Sequence, residues 1–160
     1  MRLLAHRETE EATAAGVYGV IVGAAVMASA HAESVGSLDL AVLATLFVYW
    51  CAERFSRLVA QRIHAGHRPG GPAVRRELTT GWEIMTASVL PLVVLSVSGR
   101  LGADLDTAVL HGLACSTVLL ALAGWEMGHG EALTRAERLV STLVATTFGL
   151  AMILLKSLLH

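Results

Sequence analysis

The stretch Thr45-Leu-Phe-Val-Tyr-Trp-Cys-Ala-Glu-Arg-Phe-Ser-Arg57 decides how the rest of the chain is read. It begins apolar enough to lie in lipid and ends by carrying Glu53, Arg54 and Arg57, so it marks where a membrane helix meets the cytoplasm. Around it the composition agrees. With 54% hydrophobic and only 16% charged residues in 160, and a mean hydropathy of +0.62, the chain is too apolar for an ordinary soluble domain. A net charge of -1 gives no global basicity, and no nucleic-acid partner is expected. Cys51 and Cys115 sit in apolar runs and read as free thiols.

A helix needs about 20 apolar residues to cross the hydrocarbon core. Five segments qualify, at residues 12–32, 37–63, 79–99, 105–125 and 135–158, with a cytoplasmic loop over 64–78. Glu8, Glu10 and Glu11 stand where a secretory signal would carry positive charge, so the first segment is expected to be a retained span. The expectation is one all-α integral membrane domain over residues 1–160, a five-helix bundle crossing a cell membrane of the bacterial inner-membrane kind.

Orientation follows from the arginines. If the N-terminus is inside, Arg2, Arg7, Arg54, Arg57, Arg62, Arg68, Arg75, Arg76, Arg135 and Arg138 lie on the inner side, and only Arg100 and Lys156 on the outer. Ten against two predicts N-inside and C-outside. Trp50, Trp82 and Trp125 fall at the same inner ends, where an indole keeps its ring in lipid and its N–H near water.

Helix starts carry signals of their own. Thr80-Gly-Trp-Glu83 and Thr134-Arg-Ala-Glu137 have the capping-box spacing. Ser37 with Asp39, and Asp104 with Asp106, are expected to cap the second and fourth spans. Arg68-Pro-Gly-Gly-Pro72 reads as a flexible turn. A repeat is also visible: Leu38-Asp-Leu-Ala-Val-Leu-Ala-Thr-Leu46 matches Leu105-Asp-Thr-Ala-Val-Leu-His-Gly-Leu113 at six of nine positions, a shift of 105 − 38 = 67. That shift lays spans one and two over three and four as a parallel repeat, with the fifth span outside it.

Gly16, Gly19 and Gly23 give the first span a small-residue face, for packing in the bundle or between copies. Glu53 is 16 residues, or about 24 Å, from Ser37, which keeps Glu53 and Arg54 inside the inner leaflet. Ionised groups at that depth need a partner or a watery cavity. Thr45, Tyr49, Glu53 and Ser56 form a polar track, either the mouth of a permeation path or a Glu53 pairing with Arg57 while the arginines snorkel. Glu83, Pro91 and His111 carry the same choice, between path and structure: a capped helix start, a packing kink and a satisfied core histidine, or a gate.

Two functions are weighed. The first is a small homo-oligomeric channel or transporter for an inorganic ion or proton, with Tyr49, Glu53, Arg54, Glu83, Pro91 and His111 lining or gating the path. The alternative is a non-catalytic scaffold or accessory subunit whose Arg57, Arg62, Arg68, Arg75 and Arg76 hold membrane lipid or a cytoplasmic partner. His64, His67, Glu126 and His129 are weak metal candidates, because glycines flank His129. No phosphate loop, nucleophile elbow, zinc-protease helix or haem-holding histidine pair occurs, so neither an enzyme nor a cofactor is expected.

Overall fold

The computed structural model describes residues 2–65, 70–126 and 135–159. Its elements are α1 (Arg2–Ser29), α2 (Val35–Ala65), α3 (Gly71–Thr79), α4 (Glu83–Arg100), α5 (Leu105–Glu126) and α6 (Arg135–Leu159), with no strand among the described residues. Every one but α3 contains a stretch long and apolar enough to cross a membrane, in α1 the part Glu11–Ser29. Large apolar side chains cover the outside of the bundle, among them Leu40, Val48, Leu143 and Leu154, each more than 60% exposed. A soluble chain would not carry so continuous an apolar surface. The architecture is that of a multi-pass membrane protein.

Helix α1 is the hub, in contact with α2, α4, α5 and α6. Its glycine face makes this geometry available. A Cβ on Gly19 would collide with the carbonyl oxygen of Ile84 and lie 2.8 Å from its carbonyl carbon, so α1 and α4 touch backbone to backbone. Gly16 faces Ala87 Cβ at 3.6 Å and Gly23 faces Ser88 Oγ at 3.2 Å, both on α4. The face expected either for the bundle or for a second copy is therefore taken up within the chain. Ala24, Met27, Val42, Leu46, Leu95, Val109 and Leu113 fill the middle of the core. On the far side, Gly124 and Gly149 of α5 and α6 do the same for that pair: Gly124 meets Ser141 O, and Gly149 meets Thr117.

Several boundaries differ from the sequence expectation, each for a local reason. The loop 64–78 is interrupted by α3, whose Pro72 sits in the first turn, where a missing N–H costs nothing. Only Gly70 to Pro72 of the expected flexible turn fall among the described residues, and Gly71 and Pro72 are helical. The Thr80 capping box does not form. Helix α4 starts at Glu83 after Trp82, without a side-chain cap, because the Thr80 hydroxyl instead accepts from Arg54. The cap of α2 is Ser34, not Ser37: the Ser37 N–H donates to Ser34 Oγ at 3.2 Å, and Ser37 Oγ receives the Ser34 N–H at 3.1 Å. Asp39 turns away from that end to meet Ser96 of α4. Thr134 lies outside the described residues.

Asp104 does cap α5, taking the Thr107 N–H at 3.1 Å and the Thr107 hydroxyl at 2.7 Å. Those donors hold its carboxyl below the usual range. A lowered folded value means the cap's contribution is present at neutral pH and is lost only as pH falls below about 3.9.

Gly19→Ala is expected to lower stability by about 2 kcal/mol or more, since neither backbone can retreat. Gly71→Ala, with nothing within 4 Å, should leave it unchanged. Thermal unfolding of both variants in one detergent measures the difference.

Candidate functional site

Polar side chains gather at the two ends of the bundle. At the arginine-rich end the centre is Arg54, 3% exposed although it carries a full charge. Its Nη1 donates to Thr80 Oγ1 at 3.1 Å and its Nη2 lies 3.2 Å from Glu53 Oε1. Glu53 Oε1 also takes Arg57 Nη2 at 2.9 Å, and Arg57 Nη1 reaches Glu11 Oε2 of α1 at 2.7 Å. The Trp50 indole N–H donates to the Thr80 carbonyl at 3.1 Å, and its ring lies 4.8 Å from that of Trp82. Tyr18 and Tyr49 stack at 5.2 Å beside this group. Rings at this level are what a membrane interface selects.

The turn between α3 and α4 is built around the guanidinium. Gly81 has φ +77°, and a Cβ there would overlap Arg54 Nη2 and lie 2.5 Å from Cζ. Glycine is required twice, for the left-handed backbone and for the space.

At the opposite end Asp39 receives the Ser96 hydroxyl, Ser98 Oγ lies 3.0 Å from His111 Nδ1, and Lys156 Nζ pairs with Asp106 at 3.0 Å. Lys156 is 7% exposed, so α6 is tied to the first turn of α5 by a largely desolvated ammonium. From the sequence, Lys156 reads only as an outer charge. Its partner Asp106 is 50 residues away in the sequence and on a different helix, so no periodic signal joins the two.

The candidates of the permeation reading divide between the two ends: Tyr49, Glu53, Arg54 and Glu83 lie at the arginine-rich end, where Thr80 and Trp82 bring the start of α4 level with Arg54, and His111 lies at the other. Glu53 and Arg54 belong to the arginine-rich end, and Glu83 is exposed at the first turn of α4. His111 is exposed about 9 Å along α5 from its other end. Pro91 is buried in α4, its carbonyl 3.5 Å from where a Gly112 Cβ would stand. Tyr49 and Thr45 face outward from the chain. The apolar layer of Met27, Leu46, Leu95 and Leu113 lies between the two ends. Among the partner-binding candidates, Arg57 is partly covered, Arg62 and Arg75 are exposed, Arg68 lies outside the described residues, and Arg76 is placed in α3 without a described side chain.

His67 and His129 lie outside the described residues; His64 and Glu126 are placed in α2 and α5 without described side chains. Among the described residues no three His, Cys, Asp or Glu side chains converge as a metal site. No protein-family model, curated protein or solved structure matches the chain.

Gly81→Ala should cost about 2 to 3 kcal/mol, the left-handed strain plus the lost seat of Arg54. Gly102→Ala has the same strain, φ +93°, but open space around it, and should cost about 1 kcal/mol. Equal shifts in the two melting curves would show that Arg54 is not seated on Gly81.

Proposed function

We propose that this protein is a non-catalytic membrane subunit that docks an acidic partner protein on a helical hairpin at its arginine-rich, inner end. The observation that carries the proposal is the course of α2 past the bundle. Thr80 and Trp82 bring the start of α4 level with Trp50 and Arg54. From there α2 runs on through residues 55–65, about 16 Å, before α3 comes back in contact with it.

Along that extension Phe55, Val59 and Ile63 form a stripe at four-residue spacing, 69%, 39% and 72% exposed. Counted from Ser37, Ile63 stands about 39 Å along the helix, more than a hydrocarbon core of about 30 Å, so its exposure suits a partner other than acyl chains. Arg62 of α2 and Arg75 of α3, the helix that touches α2 here, are exposed and without an ion pair among the described residues. An apolar seam with guanidinium groups on the same hairpin suits an amphipathic helix with acidic borders. The ten-against-two arginine count supports placing this end in the cytoplasm. The parallel repeat is supported by Val42, Val109, Leu46 and Leu113, all buried at equivalent positions, and by Asp39 and Asp106, each bonded to the next membrane helix.

Ion or proton permeation by a homo-oligomer is the second reading. It is favoured by Thr45, Tyr49 and Ser56, which lie on the outward face of α2 with the partly exposed Glu53, where a second copy could close a path.

A variant carrying Ile63→Ser, Arg62→Gln and Arg75→Gln should lose a stoichiometric acidic partner that wild type retains after cross-linking in cells, with its melting curve unchanged. Retention of the same partner by both proteins would overturn the docking proposal. If purified wild type alone in liposomes passes ions, and Glu53→Gln changes that flux, the permeation reading replaces it.

A further inference from the structure

A groove runs along the surface between α2 and α4 at the end opposite the arginine-rich one, and it has two compartments. The apolar compartment, about 350 Å³, is formed by Leu43, Val89, Leu92, Val93 and Val97. The second, about 330 Å³, is more polar through Asp39, Ser96 and Arg100, to which Val35, Gly36 and Gly99 add its remaining wall. Asp39, Ser96 and Arg100 line both.

Three features say what such a groove would hold. The first is charge: one carboxylate and one guanidinium share the polar compartment and make no ion pair with each other among the described residues. Asp39 Oδ2 takes the Ser96 hydroxyl, and Oδ1 is withheld from water with no hydrogen-bond partner among the described residues. Asp39 lines the groove about 6 Å into α2, and because the carboxylate torsion is soft, a turn of χ2 can present the unsatisfied oxygen to a donor cation in the groove. The second is depth. From Arg100 back to Val89 is about 16 Å along α4, which matches one leaflet, half of a core of about 30 Å. The third is space: a Cβ on Gly36 would meet nothing within 4 Å, although α2 and α4 are in contact next to it at Val35 and Gly99.

We propose that this groove is a binding site for one phospholipid with a zwitterionic, primary-amine headgroup of the phosphoethanolamine type. Arg100 holds the phosphate, the ammonium donates to Asp39, and one acyl chain lies along Leu43, Val93 and Val89. A quaternary choline head has no N–H to donate, so it forfeits the Asp39 contact; an anionic glycerol head sets its phosphate against Arg100 but brings no cation. The site is independent of the hairpin at the other end.

Native mass spectrometry of the purified chain, offered ethanolamine, choline and glycerol phospholipids with matched acyl chains, tests this. Wild type should retain one ethanolamine lipid about tenfold in preference to the choline lipid, the order expected of one hydrogen bond to a charged group. Asp39→Asn should make the two equal, and Arg100→Gln should weaken every phospholipid. Gly36→Phe, placed in open space so that the fold is undisturbed, should remove the retained lipid altogether. Equal retention of ethanolamine and choline lipids by wild type, or no retained lipid, would overturn the proposal. So would Leu43→Cys and Val93→Cys cross-links between copies, which would assign the groove to a second chain.

Discussion

The close approach of α1 to α4 at Gly19 and Ile84 is the contact on which the rest of the bundle depends. In lipid there is no hydrophobic drive between helices, because acyl chains are as apolar as leucine, so association rests on how near two backbones can come. With α1 seated against α4, it also reaches α2, α5 and α6. Met27, Val42, Leu46, Leu95 and Leu113 close the centre around it. A side chain at Gly19 would hold α1 off α4 and open that centre.

Charge is arranged so that this apolar centre is never asked to hold it. Arg54 is buried at one end, where Glu53, Thr80 and the space over Gly81 accept its guanidinium. Lys156 is buried at the other, against Asp106. Desolvating an ion is tolerable only when partners replace its water. Thr80 and Asp106 come from outside the helix that carries each ion, so both contacts also lock helix positions. Arg54 joins α2 to the turn before α4, and Lys156 joins α6 to α5.

The same economy explains why the polar track of α2 has two faces of meaning. Trp50 and Arg54 point into the chain and are structural, whereas Thr45, Tyr49 and Ser56 point out of it. Residues four apart share a stripe, but a shift of one residue turns the side chain by about 100°. Spacing alone groups Tyr49 with Glu53; burial sets Trp50 and Arg54 apart from them, although Glu53 still reaches Arg54 at 3.2 Å.

The sequence by itself determined the five apolar helices, the asymmetry of its arginines, the small-residue face of α1 and the Asp104 cap, because each is set by neighbours along the chain. Length, composition and a side chain two or three residues away are all local quantities. Only the tertiary structure decided that the glycine face meets α4, that Thr80 serves Arg54 instead of capping α4, and that Asp39 turns to Ser96. It also decided that His111 stands at the opposite end from Glu53 and Glu83, and that Asp39 and Arg100, 61 residues apart in the sequence, share one groove. Those outcomes depend on which faces of separate helices meet. In a chain whose helices are apolar nearly all round, periodicity leaves that choice open, and backbone approach at a few glycines makes it.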